Sequence, residues 1–155
     1  MTRYTRGAWA VTASLPARPQ VVRHARRIAR TALEAWGAGE SSYAAETVVS
    51  ELVTNALLYG RGPVDLAIAL TDEILRISVT DCGPALPLAR SAGPDAQSGR
   101  GLQIVESLAL SWEVLARPDG KTVSCVLPAV RSRPVAAPGG TAAAVVSHAV
   151  PEERG

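Results

Sequence analysis

The chain has 155 residues, of which 47% are hydrophobic and 19% are charged, a balance typical of one globular domain rather than of a disordered chain. Its 16 lysines and arginines nearly match its 14 aspartates and glutamates, so no uniform positive field favours nucleic-acid binding. No apolar stretch approaches the ~18 residues of a membrane-spanning helix. The two cysteines, Cys82 and Cys125, are far apart without a CxxC pair, which gives little support to a disulfide framework or metal site and fits a reduced cytoplasm.

The first part of the chain predicts one strand and two helices. After a short extension over residues 1–7, apolar residues alternate over 8–15, which is the period of a half-buried strand. Apolar positions at three- and four-residue steps predict a first helix over 19–36. The same spacing predicts a second helix that begins after Ser41 and ends at Gly60.

The rest of the domain predicts two hairpins and a third helix, with a long loop between them. Alternation over 64–70 and 75–79 indicates the first hairpin. Residues 82–98 hold three prolines and two glycines without periodicity, and they exceed the ~2–6 residues of an ordinary connection, which is typical of a functional loop. A short helix is predicted over 99–109, and a second hairpin over 112–127.

This order of five strands and three helices predicts an α+β two-layer sandwich. We expect one domain over residues 8–128. Residues 129–155 are rich in alanine, proline and glycine and show no sustained period, so we expect a disordered tail, with a partner-induced helix left open.

One pair of polar residues lies at the edge of the apolar stripe of the second helix. Glu51 and Asn55 are four residues apart and therefore lie on adjacent turns of one face. The amide of Asn55 offers a carbonyl oxygen to a hard cation such as Mg²⁺, and Glu51 can polarise a water or hydroxyl. The same spacing also suits an ordinary surface pair.

A carboxylate continues the inward series of the predicted strand over 75–79. Asp81 is at the end of that series. Burying its carboxylate costs roughly several kcal/mol unless hydrogen-bond donors contact it. The donor is either the amino group of a ligand, or a loop amide or arginine of the chain itself. Gly83 follows closely and allows a flat ligand to approach.

A glycine-rich segment over 98–102 opens the third predicted helix. Backbone N–H groups at a helix start suit a phosphate, and glycines remove side-chain obstruction. Alone, the GxG pattern is a weak signal and fits a plain helix-start turn better than a phosphate site.

These motifs occur together in a recognisable order. The chain reads SELVTNALLYG at 50–60, ISVTDCGP at 77–84, SGRGLQIVESLA at 98–109 and GKTV at 120–123. Over residues ~8–128 it resembles the ATP-binding domain shared by histidine kinases, gyrase-type topoisomerases and a heat-shock chaperone. It is most similar to the small bacterial branch of anti-sigma-factor serine kinases. The resemblance implies a mixed, mostly antiparallel sheet with its helices on one face.

The resemblance also implies a role for each motif. Asn55 would ligate Mg²⁺, Glu51 would act as base or water-orienting group, Asp81 would recognise the adenine amino group, and Gly83 would border the purine. The remaining implied contacts are with the phosphates, by Gly99, Arg100, Gly101 and Leu102, and with the adenine side, by Thr122.

The function implied by the resemblance is ATP-dependent phosphorylation of a serine on an antagonist protein, which controls the availability of a sigma factor, often in a homodimer. No nucleic-acid or membrane partner is expected. Pro84 stands where many relatives have a more glycine-rich turn, Tyr59 stands where this branch often has histidine, and the loop offers Arg90 but no lysine. A non-catalytic nucleotide-binding interaction module is therefore the alternative. The catalytic piece of a histidine kinase is disfavoured, because no dimerisation segment precedes the domain.

Overall fold

The computed structural model describes residues 8–84, 97–130 and 144–149. In these parts the chain forms three α-helices, six strands and a short 3₁₀ turn. The helices are α1 (Val21–Ala35), α2 (Ser42–Tyr59) and α3 (Gln97–Leu108). The strands are β1 (Trp9–Leu15), β2 (Val64–Thr71), β3 (Ile74–Asp81), β4 (Ser111–Arg117), β5 (Gly120–Pro128) and β6 (Ala144–Ala149).

The strands form a single sheet in the order β4-β5-β3-β2-β1-β6. Neighbouring strands are antiparallel except β1 and β6, which are parallel. The sheet is therefore mixed and mostly antiparallel, which confirms the predicted α+β class. Within the described ranges, none of the helices combines the length and hydropathy needed to cross a bilayer.

One face of the sheet carries the hydrophobic core. Along β3, Leu75, Ile77 and Val79 are buried and alternate with more exposed residues, as expected for a strand with one face against helices. Helix α2 contacts α1, α3 and β3 and is buried along most of its length. It therefore lies at the centre of the helical layer.

The prediction of a disordered tail over 129–155 is wrong for six of its residues. Ala144–Ala149 form β6, which extends the sheet beyond β1. Parallel pairing of segments so far apart in the chain leaves no turn signal in the sequence. Residues 131–143 and 150–155 of the predicted tail lie outside the described residues, as do 1–7 and most of the predicted loop, 85–96.

The helical layer can be tested with two leucines of the same helix. Leu52 of α2 is 2% exposed, whereas Leu58 is 63% exposed. We expect Leu52→Ala to lower the free energy of unfolding by about 2–5 kcal/mol, because it leaves a cavity in the core. Leu58→Ala changes it by less than about 0.5 kcal/mol. Urea denaturation of both variants measures this difference, and equal losses would contradict the assignment of the buried face.

Candidate functional site

A buried ion pair stands at the end of β3. The β3–β5 register pairs Asp81 with Lys121, and Lys121 Nζ donates a hydrogen bond of 3.0 Å to Asp81 Oδ1. Both side chains are only 2% exposed. The Gly83 backbone N–H donates a second hydrogen bond of 2.7 Å to the same oxygen. The carboxylate predicted at this point is therefore buried, and donors from its own chain meet it.

Glycine residues bring the backbone into close contact with Asp81. A Cβ atom at Gly60, the residue that ends α2, would lie 2.5 Å from Asp81 Cγ and 2.6 Å from Oδ1. A Cβ atom at Gly120 would overlap the Asp81 carbonyl oxygen. These approaches require glycine at both positions. A hydrogen bond of 2.8 Å from Cys82 N–H to the carbonyl of Arg61 joins the chain after α2 to the end of β3.

The structure does not bring Thr122 to Asp81. Thr122 is opposite Thr80 in the β3–β5 register, and the two hydroxyls are 2.8 Å apart. Because successive side chains of a strand point to opposite faces, Thr122 lies on the face away from Asp81 and the helices. The neighbouring pair on that outer face is Ser78 and Ser124, whose hydroxyls are 3.0 Å apart.

Sequence reasoning missed Lys121 as a site residue. A signal is present in the alternation of β5. Lys121 is in phase with every second residue of the strand, namely Val123, Cys125 and Leu127, all of which are buried. A lysine in phase with core residues must have a partner, because an unpaired buried ammonium is strongly unfavourable. Local patterns alone predict only a hairpin strand and the GKTV motif in this stretch.

The two polar residues of α2 have different environments. Asn55 is buried, with 4% exposure, and its Nδ2 atom has no hydrogen-bond partner within the described part of the chain. Glu51 is partly buried. A buried amide without a partner costs about 1–3 kcal/mol, so Asn55 is a residue whose hydrogen bonds a ligand would complete.

A magnesium ion fits this residue set only together with phosphate groups. Among the described residues, no cluster of three or more His, Cys, Asp or Glu side chains could hold a metal by itself. Mg²⁺ is commonly held by one or two protein oxygens plus the phosphates of its nucleotide. The carbonyl oxygen of the Asn55 amide is a suitable ligand of this kind, and the Nδ2 donor suits a phosphate oxygen.

The glycine-rich segment lies inside α3 rather than before it. Helix α3 begins at Gln97, so the free N–H groups of its first turn belong to residues 97–100. Gly99 and Arg100 are among these residues, whereas Gly101 and Leu102 follow them in the next turn. Helix α3 packs against α2, which places the start of a helix dipole in the same layer as Asn55.

A second charged contact lies between the helices, on the outside of the layer. Arg30 of α1 donates two hydrogen bonds to Glu46 of α2, at 3.0 and 2.6 Å. Partial burial opposes ionisation of Glu46, but the hydrogen bonds from Arg30 and Ser42 outweigh it and lower the pKa of Glu46. This pair links α1 to α2 near the surface and contributes little to stability.

Comparison with known proteins gives one family match. The model of the histidine kinase-like ATPase domain matches residues 15–127. A solved structure, the histidine kinase domain from the blue-light activated histidine kinase of Erythrobacter litoralis EL346, matches with 20% sequence identity and a TM-score of 0.48. That match covers 73% of this chain and 61% of the kinase domain. No curated protein matches the chain.

The β3–β5 register that brings Lys121 to Asp81 can be tested with the two thiols. Cys125 is on the same face of β5 as Lys121, and its burial raises the pKa of the thiol to about 11, whereas Cys82 is exposed. We expect one thiol per chain to react with a disulfide reagent in mildly alkaline buffer, and the second only after unfolding. In Cys82→Ser the fast reaction disappears. Rapid reaction of Cys125 in the folded protein would contradict the register.

Proposed function

Because the chain belongs to the histidine kinase-like ATPase domain family, we propose that it binds ATP together with Mg²⁺ and phosphorylates a serine of an antagonist protein. By this step it controls the availability of a sigma factor. The proposal combines the family membership with the resemblance of the sequence motifs to anti-sigma-factor serine kinases.

The observation that supports nucleotide binding best is the buried amide of Asn55. Its Nδ2 has no partner among the described residues, and its helix packs against both α3 and β3. A ligand that presents phosphate oxygens and a hard cation would satisfy both ends of this amide. ATP with Mg²⁺ is such a ligand.

Each end of the nucleotide has protein groups of suitable chemistry. Asp81 is a hydrogen-bond acceptor for the amino group of adenine, and Gly83, which donates its backbone N–H to Asp81, would border the purine. The N–H groups at the start of α3 suit the phosphates, with Arg100 as a source of positive charge. Bound Mg²⁺ would neutralise charge on the phosphates.

Glu51 is the proposed general base. The serine hydroxyl oxygen of the antagonist forms a bond to the γ-phosphorus, the bond from that phosphorus to the bridging oxygen of ADP breaks, and the hydroxyl proton passes to Glu51. Glu51 precedes Asn55 by four residues, so its carboxylate lies on the same face of α2 as the proposed magnesium ligand. General bases of this kind contribute about 10²–10⁴-fold to rate.

A non-catalytic interaction module is the second candidate. The ion pair between Lys121 and Asp81 favours it, because one oxygen of the carboxylate proposed to accept from adenine already has donors from the chain itself. In that case the protein would bind its sigma factor or antagonist, alone or as a homodimer, and use nucleotide only as a structural ligand.

Transfer of labelled γ-phosphate to a serine-containing antagonist tests the kinase proposal. We expect Glu51→Gln to retain ATP binding and to lose about a hundredfold or more of the transfer rate. Asn55→Ala loses the magnesium-dependent part of ATP binding. The matched control is Ser50→Ala, since the Ser50 hydroxyl bonds only to the Glu46 carbonyl of its own helix among the described residues.

Equal transfer by wild type and Glu51→Gln would remove Glu51 from the mechanism. ATP binding without any transfer or ADP formation would favour the interaction module. Absence of ATP binding by the wild type and by every variant would overturn both candidates.

A further inference from the structure

One oxygen of the carboxylate proposed as the adenine acceptor is occupied from within the chain. Asp81 Oδ1 accepts two hydrogen bonds, from Gly83 N–H at 2.7 Å and from Lys121 Nζ at 3.0 Å. Two bonds use both lone pairs of Oδ1, whereas Oδ2 accepts no hydrogen bond from the described residues. The side chains of Asp81 and Lys121 are each 2% exposed, so neither offers an open edge to a base.

Most of the groups packed around the carboxylate are backbone atoms, which cannot move without a large cost in free energy. Gly60 is the C-cap residue of α2, and a Cβ atom at Gly83 would lie 2.6 Å from Gly60 Cα. Gly120 begins β5 directly against the carbonyl of Asp81. Moving any of these residues would break a helix end or a strand pairing.

Among the described residues, Lys121 provides the one flexible side chain that is hydrogen-bonded to the carboxylate. Its ammonium is at the end of a four-carbon chain that can rotate away without moving the backbone. The ammonium and the 6-amino group of adenine are also chemically alike, since both donate N–H to a carboxylate oxygen. They are therefore competitors for the same carboxylate.

We propose that Lys121 is a specificity-determining residue of the nucleotide site, occupying on Asp81 the position of the purine 6-amino group until ATP displaces it. The inference rests on the proposed ATP site. It implies that ATP binding moves Lys121 off Asp81, that the wild type binds ATP more weakly than a variant without this ammonium, and that purines lacking a 6-amino group do not displace it.

The wild-type protein allows a direct test, because Lys121 is the only lysine in the chain. Its ε-amine can be followed by acetylation with an amine-reactive ester and peptide mass spectrometry, with the N-terminal amine as the internal reference. We expect slow acetylation of Lys121 in the free protein and severalfold faster acetylation with ATP and Mg²⁺. Inosine triphosphate, which carries a 6-oxo group, leaves the rate unchanged.

Lys121→Met provides the second readout, since methionine is of similar length and carries no charge. Without its ammonium partner Asp81 needs another donor, so we expect ATP affinity to rise about tenfold to a hundredfold. The affinity for inosine triphosphate does not rise. ATP should also raise the melting temperature more in Lys121→Met than in the wild type.

Ser124→Ala is the matched control, because Ser124 is on β5 but on the outer face, where it pairs with Ser78. We expect its nucleotide affinities to equal those of the wild type. If Lys121→Met is too unstable to purify, Lys121→Gln removes the charge and retains an amide donor, and the acetylation experiment needs no variant.

The possible outcomes separate the two proposals. Lys121 that stays protected with ATP bound, or a Lys121→Met protein that binds ATP no better than the wild type, overturns the displacement while leaving ATP binding intact. Equal gains for ATP and inosine triphosphate overturn the role in base recognition. If neither wild type nor Lys121→Met binds ATP, the proposed function itself fails.

Discussion

The ion pair between Asp81 and Lys121 is the constraint on which the arrangement of the site depends. Removing two charges from water costs roughly several kcal/mol for each charge. Their mutual attraction offsets this cost only with good geometry and further hydrogen bonds. Here the Gly83 N–H supplies one such bond. The pair also joins β3 to β5 at the sheet end nearest to the cap of α2, so helix end, strand end and loop start are held together.

The requirement for close approach explains why glycines gather at this point. Gly60 and Gly120 come from separate parts of the chain, yet each would place a Cβ atom against Asp81. A side chain at either position would push the α2 cap or β5 away and open the ion pair to solvent. The same short backbone distances place Asp81 at the C-terminal end of α2, the helix that carries Asn55.

The two faces of the sheet carry different polar interactions. On the helix-covered face, an apolar core ends in the charged pair. On the other face, Thr80 with Thr122 and Ser78 with Ser124 form a short ladder of hydroxyl pairs, which stabilises strand pairing. A shift of register by one residue would exchange these roles and bring Thr122 to Asp81 instead. The identity of the site residue on β5 is therefore decided by pairing.

Local signals were sufficient for much of the fold. Alternation identified β2 and β3, and three- and four-residue spacing identified α1 and α2, because these patterns reflect burial against one neighbouring layer. Lys121 was missed because its partner is 40 residues away, and only the strand register brings the two together. The strand β6 was missed for a similar reason, since its pairing with β1 joins the two ends of the domain.

A double-mutant cycle on the free energy of unfolding tests the central ion pair most directly, using Asp81→Asn, Lys121→Met and the double variant. Asparagine retains an acceptor for the Gly83 N–H, so the cycle isolates the charges. We expect Lys121→Met alone to lower the free energy of unfolding by about 3–5 kcal/mol, because it leaves a buried charge. The double variant should recover more than ~1 kcal/mol relative to the sum of the single losses. Additive losses would show that the two side chains do not interact and would contradict the central role of the ion pair.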